Sequence, residues 1–105
     1  MLGGVEQLVL LALVRLGRDS YGVTVRDEIE RRTGRDAHFG TVYTTLARLE
    51  DKGFVTSRLG DPTSERGGRR KKHFAITAAG TRQLTESLRG LKTMTRGLGA
   101  RLELP

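Results

Sequence analysis

Residues 38–53 alternate apolar and polar positions at the spacing of a helix with one buried side. Val42, Leu46 and Leu49 stand at i, i+4 and i+7, which predicts that their side enters a core. Thr41, Thr44, Thr45, Arg48 and Lys52 gather a quarter-turn or more from that stripe, with Glu50 and Asp51 elsewhere on the wheel. Gly53 follows the last apolar position, where a left-handed cap is wanted. Small hydroxyls and cations on an outer face suit the DNA major groove. The hydroxyls allow close approach, and the cations reach phosphates or guanine edges. An ordinary amphipathic surface helix carries the same pattern.

Two helices precede this one. Over residues 2–16, Leu2, Val5, Leu8, Val9, Ala12, Leu13 and Leu16 recur at helical spacing, and Leu10, Leu11 and Val14 spread the apolar surface around the cylinder. A helix apolar on nearly all sides is covered on nearly all sides. Either a second subunit covers part of it, or it is the central helix of one subunit. Gly17 ends it, and Arg15 and Arg18 suit the negative end of its dipole. Asp19 or Ser20 is placed to cap a second helix, residues 20–33. Val25 and Ile29 are its inward positions, with Tyr21 and Val23 near its start, while Asp27, Glu28, Glu30, Arg31 and Arg32 mark a solvated face. Gly34 stops it, and residues 35–38 make a short connection to the third helix. This is a helix-turn-helix pattern.

Residues 54–58 and 72–77 read as strands, with Phe74 and Ile76 on one face. Residues 59–71 between them are rich in Gly, Pro and Ser. From Arg58 to Lys72 six cations (Arg58, Arg66, Arg69, Arg70, Lys71, Lys72) face only Asp61 and Glu65, so this window holds +4 of the chain's formal +7. A hairpin tip with that charge reads as a wing that lies along or in a minor groove; a solvated loop whose cations aid solubility is the other reading. Thr77 can cap a last helix, residues 78–98. Its Leu84, Leu88, Leu91, Met94 and Leu98 form a narrow stripe suited to a seam with another helix. Gly90 and Gly97 weaken it in isolation, so partner contact is expected to support it. The fold expected is mostly α with a small β-hairpin. A winged helix-turn-helix domain spans residues 1–77, and a C-terminal dimerisation helix spans 78–105.

Composition narrows the function. Lys and Arg number 19 against 12 Asp and Glu, and the pI is near 10.8. That balance favours a polyanion, most simply nucleic acid. With no Cys, disulfides, thiolate metal sites and cysteine nucleophiles are excluded, and two His make a zinc site a poor expectation. His38 and His73 lack a paired nucleophile or metal set, and Gly67-Gly68 lacks the phosphate-loop lysine pattern. No enzyme and no cofactor are expected. The longest apolar run, Leu8 to Val14, is far below the ~20 residues that span a bilayer. No basic region precedes an apolar run at the N-terminus, so a cytoplasmic protein without membrane contact is expected.

Several stretches stand out together: Leu2-Gly3 with Glu6, Tyr21-Gly22, Gly40-Thr41-Val42-Tyr43, Leu46-Ala47-Arg48-Leu49-Glu50 running into Gly53-Phe54-Val55, and the wing exit from Arg70 to Gly80. In these the chain resembles the PadR family of bacterial winged-helix transcriptional regulators. A single C-terminal helix is similar to the short-tailed subgroup. The resemblance implies a homodimer made by the C-terminal helix with help from the first. It implies a palindromic operator read by the third helix in successive major grooves, and repression of a nearby gene. Tyr21 and Tyr43 match family tyrosines; Tyr21 can donate its hydroxyl to a phosphate, whereas Tyr43 lies off the Thr/Arg stripe and can equally pack beneath the helix. The chain departs from the family in having His73-Phe74 where an aromatic pair is common. It also has no Trp, the residue beside which some members bind flat aromatic ligands. A small-molecule effector of unspecified identity is left open.

The reading is a dimeric, sequence-specific regulator of double-stranded DNA, a repressor in the family's manner. Its expected DNA contacts are Tyr21, Thr41, Tyr43, Thr44, Thr45, Arg48, Lys52, Arg66, Arg69, Arg70, Lys71 and Lys72. Arg48 is assigned to a base edge, the threonines to phosphates or thymine methyls, and Lys52 and the wing cations to phosphates. The expected dimer contacts are Leu2, Val5, Val9, Leu84, Leu88, Leu91, Met94 and Leu98. The alternative is a winged-helix interaction module whose basic wing meets an acidic protein.

Overall fold

Helices α1 (Gly4–Leu16), α2 (Gly22–Thr33) and α3 (Phe39–Asp51) pack around a shared apolar centre and lead into a hairpin of β1 (Val55–Pro62) and β2 (Arg70–Ile76). Helix α4 (Ala78–Thr95) and the four-residue α5 (Gly99–Leu102) complete the chain. The structure, a computed structural model, describes residues 2–62 and 70–104, the side chains of residues 61, 62 and 70 excepted. Among the described residues no helix is long and apolar enough to cross a membrane.

The centre is filled by Val9 and Leu10 of α1, Val25 of α2, and Val42, Leu46 and Leu49 of α3, all out of contact with water. The predicted inward stripe of α3 is therefore the one observed. Val55 and Phe74 close the centre from the hairpin, and Leu84 from α4. One subunit thus covers much of α1, while Val5, Leu8 and Val14 are left exposed on its other sides.

Local sequence explains most of the boundaries. Glu6 in the first turn of α1 accepts the Gly3 N–H at 2.9 Å, the reciprocal half of a capping box. Helix α2 starts later than the sequence suggests. Neither Asp19 nor Ser20 is its cap: Tyr21 takes that position, its N–H bonded to the Thr24 hydroxyl at 3.0 Å. Ser20 is buried because its carbonyl accepts the Phe74 N–H at 2.8 Å, and Tyr21 forms a bridge with His73. The residues before α2 thereby line the free edge of β2 as a strand would. Glu28, expected on a solvated face, is buried, because Arg31 and Arg32 fold back onto its carboxylate at 2.5 and 2.8 Å.

The strands pair antiparallel from Val55↔Ile76 to Leu59↔Lys72, then shift register to Pro62↔Arg70. They run further towards the tip than residues 54–58 and 72–77, because backbone pairing continues where the β-branched and aromatic residues stop. Thr77 lies beyond β2 and caps α4, accepting the Gly80 N–H at 3.0 Å and donating to the Gly53 carbonyl at 2.7 Å. The end of α3 and the start of α4 thus meet at one hydroxyl.

Helix α4 stops at Thr95 and does not continue to residue 98. Arg96 is extended and Gly97 has φ +81°, a left-handed conformation that turns the chain into α5. Leu98 falls in that turn and leaves the apolar stripe. The remaining expected dimer contacts divide. Leu2, Val9 and Leu84 are consumed by the subunit's own core, whereas Val5, Leu88, Leu91 and Met94 are 44%, 37%, 42% and 75% exposed.

The two ends of α4 differ in one testable way. A Cβ at Gly80 would stand 2.2 Å from the Phe54 carbonyl oxygen, while one at Gly90 meets nothing within 4 Å. Gly80→Ala is expected to destabilise the fold by about 1–3 kcal/mol through forced displacement of α4. Gly90→Ala is expected to stabilise it by up to ~1 kcal/mol through helix propensity. Urea unfolding of the two variants checks both signs.

A second prediction concerns acid. Glu6 is 7% exposed and its second carboxylate oxygen receives Lys52 Nζ at 2.8 Å. The Lys52 hydrogen bond, then the Gly3 N–H, hold its carboxyl below the ordinary value of 4.5 against the opposing effect of burial. Since the folded-state value is the lower one, the associated stability is fully present above the unfolded-state value and is lost as pH falls through the folded-state one. The stability difference between wild type and Glu6→Gln in urea is expected to be flat above about pH 5 and to shrink on further acidification.

Candidate nucleic-acid interface

With Val42, Leu46 and Leu49 turned inward, the side of α3 opposite them is formed by Gly40, Thr44, Ala47 and Asp51, all exposed. Thr41 and Arg48 flank this surface on one side, and Phe39 and Tyr43 on the other. The outward side is therefore rolled towards smaller residues than the Thr/Arg/Lys grouping of the wheel. Thr45 is the casualty of that roll: it is 4% exposed, and its hydroxyl donates to the Thr41 carbonyl at 2.7 Å. It packs with the core and presents nothing outward. Gly40 and Ala47, which the wheel does not single out, leave the helix backbone open to close approach.

Lys52 sits at the C-terminal cap of α3, with its ammonium committed to Glu6. The guanidinium of Arg48, one turn earlier, makes no hydrogen bond or ion pair with any described residue. It does lie close enough for its charge to help lower the Glu6 carboxyl. Among the predicted α3 contacts, Thr41, Thr44 and Arg48 are thus exposed, with the guanidinium unengaged.

Tyr43 packs as one of its two readings expects and keeps part of its ring open to solvent. It is 41% exposed, yet its ring packs 5.8 Å from that of Phe39 and meets the edge of Phe74 at 6.3 Å. It joins α3 to the base of the hairpin. Tyr21 and Lys71, fifty positions apart, are brought together: Lys71 Nζ donates to the Tyr21 hydroxyl at 3.2 Å and stands 4.4 Å above its ring. The other face of Tyr21's neighbourhood is held by His73, whose ring meets it edge-on at 5.7 Å and whose Nδ1 lies 3.1 Å from the Arg18 carbonyl. The phenol proton of Tyr21 stays available for an outside acceptor.

Lys72 alternates to the opposite face of β2, as period two requires. It stands 5.6 Å above the Phe74 ring and 3.8 Å from Glu50, which also accepts from the Ser57 hydroxyl. Arg70 opens β2. Arg66 and Arg69, and the Gly67-Gly68 step, lie outside the described residues. Two cations of α2, Arg31 and Arg32, bind the single carboxylate of Glu28 and hold it below the ordinary range, with Arg32 the larger influence. A cleft of about 890 Å³ lies between Leu13 and Val14 of α1, Arg18 in the turn after it, and Arg58, His73 and Ile76 of the strands.

The chain resembles known proteins over most of its length. The transcriptional regulator PadR-like family matches residues 10–86, from the middle of α1 into α4. Among solved structures it is similar to a PadR-family regulator from Eggerthella lenta DSM 2243, at 27% identity and a TM-score of 0.69, over 94% of this chain and 84% of that one. It is also similar to PadR of Bacillus subtilis, crystallised in complex with operator DNA, at 27% identity and a TM-score of 0.64, over 80% of this chain and 47% of that one. A PadR-family regulator from Clostridium difficile R20291 shares the fold at a TM-score of 0.74 and 22% identity, over 95% of this chain and 99% of that one. No curated protein matches the sequence. The family match spans the helix-turn-helix and the strands of the wing, and the solved relatives share that arrangement: the chain belongs to the PadR-like family of winged-helix, DNA-binding transcriptional regulators.

Proposed function

We propose that this chain acts in the cytoplasm as a homodimeric repressor that binds a palindromic operator. Helix α3 of each copy enters one of two successive major grooves, and the basic wing follows the neighbouring minor groove. The observation that carries the reading is the division of α3. Its apolar side is spent on the core, and its outward side offers Gly40, Thr41, Thr44, Ala47 and an unengaged Arg48. Small residues admit the helix to the groove, and a guanidinium reads guanine O6 and N7 in two bonds. The Tyr21–Lys71 pair and the remaining wing cations, Arg66, Arg69, Arg70 and Lys72, supply phosphate contacts that fix register. The crystallisation of the Bacillus subtilis protein with operator DNA supports the DNA-binding part of this reading.

In this proposal residues 1–77 bind DNA and residues 78–105 hold the dimer. Exposed Leu88, Leu91 and Met94 of α4 recur at helical spacing, and Val5 and Leu8 of α1 offer a second apolar strip. A helix with so much exposed leucine and methionine is a surface for another chain. A small-molecule effector of unspecified identity belongs to the same proposal, and the cleft between α1 and the hairpin offers it room.

The test is binding to an operator duplex selected by the wild-type protein and to a random duplex of equal length. Arg48→Ala is expected to relax preference at one base pair per half-site, at a cost of ~1–3 kcal/mol. Equal weakening on both duplexes removes Arg48 from base recognition. Neutralising Arg69 and Arg70 together is expected to weaken binding to all sequences and to lower the slope of log affinity against log salt by about two per subunit. An unchanged slope means that the wing stays off the DNA.

A further inference from the structure

Lys52 is among the expected phosphate contacts, yet the structure gives its ammonium a different partner. Nζ lies 2.8 Å from Glu6 Oε2, while Glu6 Oε1 accepts the Gly3 N–H at 2.9 Å. One carboxylate, almost wholly buried, therefore serves two helix ends: the start of α1 and the C-terminal cap of α3. Both ends favour the arrangement. An acid suits the positive N-terminal end of a helix dipole, and a cation suits the negative C-terminal end.

The position of this link is what gives it a consequence. Val42, Leu46 and Leu49 seat α3 by apolar contact, which is non-directional and lets a helix roll or slide by small amounts. A charged hydrogen bond at the helix end is directional and short, and it limits both motions. Arg48 projects one turn before Lys52, on the exposed side of the same helix. A two-bond contact to a base edge holds only within ~0.5 Å of its productive geometry. Near Glu6 on α1, Val5 and Leu8 are exposed and form the apolar strip proposed for a second copy.

We infer that Glu6 and Lys52 are positioning residues for sequence discrimination: their bond sets how α3 leans on α1, and so where Arg48 meets the bases. The inference rests on the operator-binding reading and specifies which residues outside the DNA surface sharpen it. Lys52 acts through Glu6, without touching phosphate.

The experiment measures affinities of the full chain for the selected and the random duplex across a salt series, for wild type, Glu6→Gln, Lys52→Met, the double variant and Lys52→Arg. Gln retains an acceptor for the Gly3 N–H, so the start of α1 is preserved. Each single variant is expected to reduce the selected-over-random ratio about tenfold, the scale of one imperfect base contact. The double variant is expected to lose no more than either single one, since both break the same bond. The salt slope stays at the wild-type value, and Lys52→Arg restores the ratio. The inference is overturned if Glu6→Gln binds both duplexes more tightly while Lys52→Met lowers the salt slope by about one, because Lys52 then belongs to phosphate. It is equally overturned if Glu6→Gln leaves the ratio unchanged. A wild-type chain that prefers no duplex overturns the operator reading and this one together, whereas a selective wild type with either preceding result overturns this one alone.

Discussion

The burial of one side of α3 governs the rest of the structure. Val42, Leu46 and Leu49 meet Val9 and Leu10 of α1 and Val25 of α2 in a single water-free cluster. Each fully buried aliphatic side chain of this kind contributes roughly 1.5–3 kcal/mol. Because Val55 and Phe74 join the same cluster, the base of the hairpin and α3 are seated by one core. The outward side of α3 and the direction of the hairpin are consequences of that shared seat.

Polar ties at the rim then turn an approximate seat into a defined one. The Thr77 hydroxyl joins the end of α3 to the start of α4, the Glu6 carboxylate joins the end of α3 to the start of α1, and Glu50 receives Ser57 from β1. All three converge on the C-terminal half of α3 and the turn after it. The start of the helix proposed to hold the dimer therefore packs on the turn that follows the helix proposed to read DNA, with Gly80 letting it approach the Phe54 carbonyl. A displacement of α4 within a dimer would be felt at α3 with no flexible linker between.

Much of this is legible from residue order alone. Periodicity identifies all three core helices and the correct inner stripe of α3, and Thr77 is recognisable as a cap from its place before an apolar-periodic run. The signals that fail are those that depend on partners distant in sequence. Glu28 looks solvated because its charge is visible and the two arginines that cover it are read as independent surface groups. The pairing of Glu6 with Lys52 spans 46 positions and has no local signature. Tyr21 becomes a cap, and its neighbour Ser20 is buried, only because β2 arrives alongside. Thr45 misleads for a geometric reason: a wheel locates the stripe but not how deeply its shoulder sinks, and a threonine on that shoulder bonds its own backbone as readily as an outside group. In the same way a repeat of leucines predicts a continuous α4, while Gly97 permits a turn that strands Leu98 outside it.

The proposed dimer presents its two α3 helices to the duplex one turn apart. Guanine-N7 methylation protection across DNA selected by the wild-type protein measures this. Two protected clusters related by a dyad and centred about 10 base pairs apart, or a multiple of that spacing, are the predicted result. A single cluster without a dyad, or protection confined to adenine N3 in the minor groove, would mean that α3 does not occupy successive major grooves and that the dimeric operator reading is wrong.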